Sequence, residues 1–370
     1  MWQEKHPRIA DFAEIRQISR FVQGMDTIVW YNKFIFLKHI QNIINKENMW
    51  DSFAALGLPE YGAVPCHVMK HYAVLYNPLA GNGRGKEASL AVREYLTDGE
   101  VTFTDMTSIA DYKAFFASLP TDTEVVIAGG DGTLNRFIND VDGLALHADI
   151  YYYAVGSGND FLHDLGKKPG DAPCLITEYI QNLPVAEVNG KRYRILNGVG
   201  YGIDGYCCEV GDKLRATAPG KPINYAGIAI KGLLFHYPPK NAVVTVDGVA
   251  HRYKKTWLAP TMNGRYYGGG MMPTPEQHRG NADGTVSTMI MAGSGKLRTL
   301  MIFPSIFKGE HVNYKRTVHV LTGKTIKVEF DRPTALQIDG ETILGVKEYT
   351  VYGGNKNAAR QTMAESAATV

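Results

Sequence analysis

One stretch limits what this chain can fold into more than any other: Val125-Val126-Ile127-Ala128-Gly129-Gly130-Asp131-Gly132-Thr133-Leu134-Asn135. Its first half is a short β-branched apolar run, the pattern of a buried strand. Glycines then surround one carboxylate. Beyond them Leu134, Phe137, Ile138 and Val141 recur at i, i+3, i+4 and i+7, the apolar stripe of a helix. The spacing predicts a strand, a glycine-rich turn and a helix start. Backbone N–H groups at such a turn lack intrahelical partners, and the helix dipole favours an anion there. Glycines let phosphate oxygens approach the main chain with no Cβ in the way. Asp131 would repel phosphate, so it fits this place by holding a cation against the phosphate or by taking a proton from a nucleophile. A tight βα turn with an N-capping Asp explains a bare GGDG equally well.

Length and composition set the frame. A chain of 370 residues has room for two domains, and 45% apolar with 21% charged residues describes an ordinary globular protein. The 39 basic and 37 acidic residues nearly cancel, which argues against a nucleic-acid partner. No run of about 18 apolar residues predicts a membrane-spanning helix, and the start lacks the pattern of a signal peptide. The cysteines at 66, 174, 207 and 208 fit no zinc spacing. Free thiols in a cytoplasmic protein are the simplest reading.

Strand and helix alternate across the first part of the chain. Tyr72–Tyr76 is an apolar run stopped by Asn77-Pro78, and Leu79–Lys86 mixes Gly81, Gly83 and Gly85 with Arg84 and Lys86. This mixture suits phosphate, although a flexible solvated loop explains it as well, and the Walker A spacing is absent. Val101–Phe103 reads as a strand followed by Thr107, and Ala88–Leu96 and Asp111–Leu119 read as helices. Ile150–Val155 leads into Gly156-Ser157-Gly158-Asn159-Asp160-Phe161. Such alternation predicts an open parallel sheet with ligands at the carboxyl ends of the strands.

Taken together, these strings resemble the diacylglycerol kinase catalytic family, which also holds sphingosine kinases and bacterial lipid kinases. Gly129–Asn135 is similar to its nucleotide motif. Asn77-Pro78-Leu79-Ala80-Gly81 is similar to its first loop, and Gly156–Phe161 to its Gly-Thr-x-Asn-Asp-Phe loop, with Ser157 keeping the hydroxyl. The resemblance implies that Asn77, Pro78, Gly81, Thr107, Gly129, Gly130, Asp131, Gly132, Thr133, Asn135, Gly156, Ser157, Asn159 and Asp160 line ATP. Asp131 would then sit in the shell of a magnesium ion.

After Leu183-Pro184 short β-branched and aromatic runs alternate with turns: Tyr193–Leu196, Ala242–Val246, Thr256–Ala259, Thr285–Met291, Thr317–Leu321, Thr325–Phe330 and Tyr349–Tyr352. That pattern predicts an antiparallel sandwich. Lys213–Gly232 reads as a helical insertion. Asn197–Asp204 and Asn263–Met271 are similar to family segments, the second being specific to the lipid kinases. The family's structural magnesium would map to Glu187, Gly280, Asp283 and Thr285. Asn281-Ala282-Asp283-Gly284 retains only one acid of the family's usual pair, which weakens that site. Gln337-Ile338-Asp339-Gly340-Glu341 reads alone as an Asp-Gly hairpin turn. By resemblance Glu341 is the general base, with Asp339 beside it.

The expected architecture is therefore an α/β nucleotide-binding domain with an open, mainly parallel sheet over residues 69–187. A mostly antiparallel β-sandwich acceptor domain follows over 188–353, as in the diacylglycerol and NAD kinases. Residues 1–68 read as a variable extension, with Leu37, Ile40 and Ile44 at helical spacing, and 354–370 as a disordered polar tail. The implied activity is ATP- and magnesium-dependent phosphorylation of a membrane lipid, diacylglycerol by default. Sphingoid bases or other long-chain alcohols, and a non-catalytic nucleotide- or lipid-binding regulator, stay open. The implied setting is peripheral to the membrane with transient surface contact, and a homodimer is compatible with it.

Overall fold

The computed structural model describes residues 70–354 apart from Ser157, Pro219, Gly220 and Pro222. The expectations for the extension, the polar tail and Ser157 lie outside the described residues. All described residues belong to one unit, Met69–Val370.

Five strands build the first sheet: β1 (Lys70–Tyr76), β2 (Gly99–Asp105), β3 (Thr123–Gly129), β4 (Ile150–Ala154) and β5 (Cys174–Leu175). Their order is β2-β1-β3-β4-β5, parallel throughout except for β5. Six of the seven residues of β3 are buried, because helices cover both faces of a parallel sheet and leave no polar side. Helices α1 (Tyr112–Ser118) and α2 (Asp131–Asp140) follow β2 and β3. Leu134, Phe137 and Ile138 of α2 are buried, with the Phe137 ring edge-on to Tyr112 at 5.8 Å. The loops after β1, β2, β3 and β4 therefore emerge on one rim. A short helix, α3 (Asp160–Asp164), starts just beyond β4.

The second sheet has ten strands and is antiparallel. It comprises β6 (Val185–Val188), β7 (Lys191–Arg194), β8 (Gly198–Tyr201), β9 (Lys240–Val246), β10 (Val249–Thr256), β11 (Thr261–Met262), β12 (Val286–Met291), β13 (Val318–Gly323), β14 (Thr325–Ile338) and β15 (Glu341–Tyr352). The sheet change falls at Leu183-Pro184, so Glu187 lies on β6 in the sandwich, opposite Thr350 of β15. Strand β14 is its spine. Ile326–Phe330 pairs with β9 and Leu336–Ile338 with β8, while β15 runs alongside. The β14–β15 register shifts between Glu329 and Leu336, across Pro333, which has no N–H to give a ladder. That irregularity lets one strand serve two partners. At its centre Tyr201 stacks on Phe330 at 4.1 Å, meets Tyr349 edge-on, and donates its hydroxyl to the Val346 carbonyl at 2.6 Å.

The helical insertion is larger than its sequence suggested. It comprises α4 (Ile203–Thr217), α5 (Tyr225–Lys231) and a π turn over Gly232–His236. The positive φ of Gly202 ends β8 and starts α4 at once, and glycine-rich β8 does not read as a strand. Of the expected strand Thr256–Ala259, Thr256 closes β10 opposite Lys240, and Leu258 makes two isolated bridges, to Gly202 and to Met291. A last helix, α6 (Lys296–Ile302), continues into a 3₁₀ segment over Phe303–Lys308. Among the described residues no helix is long and apolar enough to cross a membrane.

Phe330 is 1% exposed. Phe330→Ala should lower unfolding stability by about 3–5 kcal/mol, measured by urea denaturation. A loss below about 1 kcal/mol would mean that the spine does not rest on this ring stack.

Candidate active site

Three rim loops touch one another. A Cβ on Gly156 would lie 2.4 Å from the Gly130 Cα, so the loops after β3 and β4 meet backbone to backbone. A Cβ on Gly81 would lie 3.4 Å from the Val155 carbonyl, which brings in the loop after β1. Asn77 ties that loop down. Its Oδ1 accepts the Leu79 N–H at 3.0 Å, and its Nδ2 donates to Thr133 Oγ1 at 3.4 Å. Close approach requires glycine at 156, and a φ of +57° favours it at 81, so the stretch of main chain can be bare of side chains where a phosphate would lie. Instead of an open loop, Ala80–Gly83 and Gly85–Ser89 make short helical turns. Thr107 is set apart: it is exposed, and its N–H and hydroxyl both bond to Asp105.

Asp131 does not cap its own helix. Its carboxylate accepts the Asp160 N–H at 2.6 Å and the Phe161 N–H at 3.3 Å, joining the start of α2 to the start of α3. Asp160 in turn accepts the N–H groups of Gly269 and Gly270 at 2.8 and 2.7 Å. Gly268, Gly269 and Gly270 all have positive φ, and that bend brings the sandwich domain onto the nucleotide domain. The Asp339-Gly340 turn closes the β14–β15 hairpin with Asp339 at φ 47°. Its carboxylate points inward and accepts four donors: Asn135 Nδ2 at 2.7 Å and the N–H groups of Leu196, Asn197 and Gly198 at 2.7, 2.7 and 3.0 Å.

Asp131, Asp160, Asp204 and Asp339 all line a cavity of about 800 Å³. Its remaining wall is mostly apolar, from residues such as Ile203, Leu258, Met271, Leu300 and Phe303. Burial raises all four carboxyls: Asp160 from its ordinary 3.8 to about 7, Asp204 and Asp339 to about 6, and Asp131 also upward. For Asp160 the neighbouring charges of Asp131 and Asp339 push the same way, while the two glycine N–H groups pull it down.

Some expected residues lie elsewhere. Glu341 heads β15 and is exposed; Asp339 and Gly340 line the cavity and Glu341 does not, because the turn sends Asp339 inward. Glu187, Gly280 and Asp283 are exposed, and Thr285 is half-buried. Asn281 closes its own loop, accepting the Asp283 N–H and donating to Thr285 Oγ1. Among the described residues no three His, Cys, Asp or Glu side chains are grouped to hold a metal ion. The two carboxylates of the expected structural magnesium site, Glu187 and Asp283, are both exposed, and among the described residues no third acid, His or Cys joins them in a metal-holding group. Asp131 fits differently, since magnesium that arrives on phosphates takes only one or two protein carboxylates.

Sequence reasoning missed the pair that locks the two domains. Arg279 donates to Asp164 Oδ2 at 2.7 Å, to the Leu196 carbonyl at 2.7 Å and to Asn197 Oδ1 at 2.8 Å, and lies over the Phe161 ring. Arg265 holds the other Asp164 oxygen at 2.9 Å. One signal was available: Asp160 and Asp164 are i, i+4 on one helix, so two like charges on one face each need a partner.

An α/β domain whose glycine loops face, across a ring of carboxylates, the apolar cavity of an antiparallel sandwich defines the fold class. Residues 71–187 match the diacylglycerol kinase catalytic domain, and residues 197–350 the YegS C-terminal NAD kinase beta sandwich-like domain. The chain belongs to the diacylglycerol kinase catalytic domain family. It is similar to a Mycobacterium tuberculosis diacylglycerol kinase, 26% identical over 72% of this chain and 88% of that protein. A Bacillus subtilis diacylglycerol kinase is 24% identical over 74% of this chain and 90% of its own length. The fold is similar to the crystal structure of a provisionally named diacylglycerol kinase from Bacillus anthracis str. Sterne, with TM-score 0.55, 21% identity, and 77% and 93% of the two chains covered.

Carboxyls raised by folding bind protons that the unfolded chain has released between about pH 4 and about pH 7, so stability from these groups falls as pH rises through that window. Asp160→Asn removes the carboxyl that burial raises to about 7. Asn keeps only one acceptor for the Gly269 and Gly270 N–H groups, so the pH trend is the readout: without nucleotide, the melting temperature of the wild type relative to the variant should fall from about pH 5 to about pH 8. A difference that stays constant or grows across that range would contradict the assigned carboxyl environment.

Proposed function

We propose that this protein is an ATP-dependent lipid kinase that transfers the γ-phosphate to a lipid hydroxyl, with diacylglycerol the first acceptor to test. The supporting observation is the meeting of two unlike surfaces: side-chain-free glycine loops at the strand ends, and a mainly apolar cavity bearing Asp131 and Asp160. ATP would lie along the loops at Asn77, Gly130 and Gly156, its phosphates on main-chain N–H groups. Magnesium, held by Asp131 and the phosphates, would offset the charge that spreads over the transferred group. An acyl chain would fill the apolar wall and bring its hydroxyl to the acidic end.

The proton must leave that hydroxyl as it attacks. Asp160 suits the task by position: it lines the cavity, and each of its oxygens takes one N–H and keeps a free lone pair. Asp339 holds four donors and acts as a positioning residue. Glu341 is the base that the family resemblance offers. Asp160→Asn should lower turnover by about 100-fold or more while Glu341→Gln stays near wild type. The reverse ranking would hand the role to Glu341.

Transfer of labelled γ-phosphate from magnesium-ATP to lipids in mixed micelles tests the reading as a whole. Diacylglycerol, a sphingoid base and a long-chain alcohol form the panel, run beside Asp131→Asn. Label on one class, reduced about 100-fold or more in the variant, is expected. Nucleotide binding without label on any lipid would favour a regulator that binds nucleotide and lipid.

A further inference from the structure

A second recess shares no lining residue with the first cavity. It measures about 530 Å³, within the range of small-molecule sites. Its floor is apolar and buried: Ile138 near the end of α2, Val141 just past it, and Ile150 at the start of β4. Leu144 and Leu146, in the loop from α2 to β4, and Ile180 stand half-buried around it. Asp131 is at the other end of α2, so the recess lies at the amino ends of the strands, away from the glycine loops.

Among the residues lining it, Arg194 is the one cation and Asp142 the one acid. Arg194, at the end of β7, is fixed before any ligand arrives. Its N–H donates to Asn139 Oδ1 at 2.8 Å, its carbonyl accepts Asn139 Nδ2 at 3.2 Å, and its Nη1 donates to the Leu183 carbonyl at 3.1 Å. A guanidinium already held in place loses little freedom on binding. Its Nε meets Asp142 at 2.7 Å, and its Nη2 has no partner among the described residues. The Asp142 side chain is 49% exposed. A pair so open to water contributes little, so a better-seated anion can replace it.

Charge and shape together select the ligand. An Arg fork takes a carboxylate through two parallel N–H···O bonds. A carboxylate that replaces Asp142 leaves the charge at Arg194 unchanged, whereas a phosphate monoester brings nearly two negative charges beside Asp142. The apolar floor excludes a bare anion, and an uncharged hydrocarbon leaves the guanidinium unused. We propose that this recess binds a small monocarboxylate with a compact hydrocarbon body, its carboxylate on Arg194 in exchange for Asp142. The site stands whether or not the first cavity takes a lipid.

The test is isothermal titration of the full chain, without nucleotide, against octanoate, octyl phosphate, octanol and acetate. Octanoate should bind saturably and at least about tenfold tighter than the other three. Arg194→Gln should weaken octanoate binding at least about tenfold. Asp142→Asn removes the competing carboxylate and should tighten it about two- to fivefold. Ala145→Trp, at an exposed position of the lining, should fill the recess and abolish binding at an unchanged melting temperature. Opposite effects at Arg194 and Asp142, the two partners of one ion pair, are what a general loss of folding cannot produce. No saturable binding of octanoate would overturn the proposal. So would binding that all three variants leave unchanged, which would place the ligand elsewhere, or binding that Asp142→Asn weakens. Octanol or octyl phosphate bound as tightly as octanoate would overturn the carboxylate assignment, and acetate bound as tightly would reduce the site to a surface ion pair.

Discussion

Everything at the centre of this molecule hangs on buried charge shared between two sheets. Asp339 sits at a hairpin tip of the sandwich yet takes donors from α2 and from the segment between β7 and β8. Arg279 answers it from the other side, reaching Asp164 with both side chains only 4% exposed. Breaking one partner of such a pair strands a charge and costs about 3–5 kcal/mol. Two domains joined in this way hold the glycine loops and the cavity in fixed register, which a reaction between a nucleotide and a lipid would need.

The same arrangement makes the site costly to keep. Asp131, Asp160, Asp204 and Asp339 gather in one mainly apolar cavity, and burial raises each of them. Structural economy would favour amides there. Carboxyls whose proton affinity is raised toward neutrality are what acid–base chemistry requires. The stability given up by folding around them is therefore itself an argument for function.

How much of this could be read from the sequence depends on the range of the interaction. The strand–turn–helix at Val125–Asn135 was legible because its period switches within a few residues, and β3 and α2 form as the spacing implies. The parallel sheet followed from strands alternating with helices. Glycine-rich β8 was not legible, since its strand character comes from pairing with β11 and β14 rather than from side chains. Arg279 and Asp164 are 115 positions apart, and nothing local marks them as partners. At Asp339-Gly340 the turn and the site looked like competing readings. The structure uses one for the other: the positive φ of the turn is what aims the carboxylate inward.

The central claim is that glycine loops and acidic cavity form one phosphoryl-transfer centre. A crystal structure of the full chain with magnesium and a non-hydrolysable ATP analogue tests it most directly. The account predicts phosphates on the main chain at Gly130 and Gly156, with the terminal one beside Asp131 and facing Asp160 across the cavity end. A nucleotide bound elsewhere, or with its terminal phosphate turned away from the cavity, would contradict it.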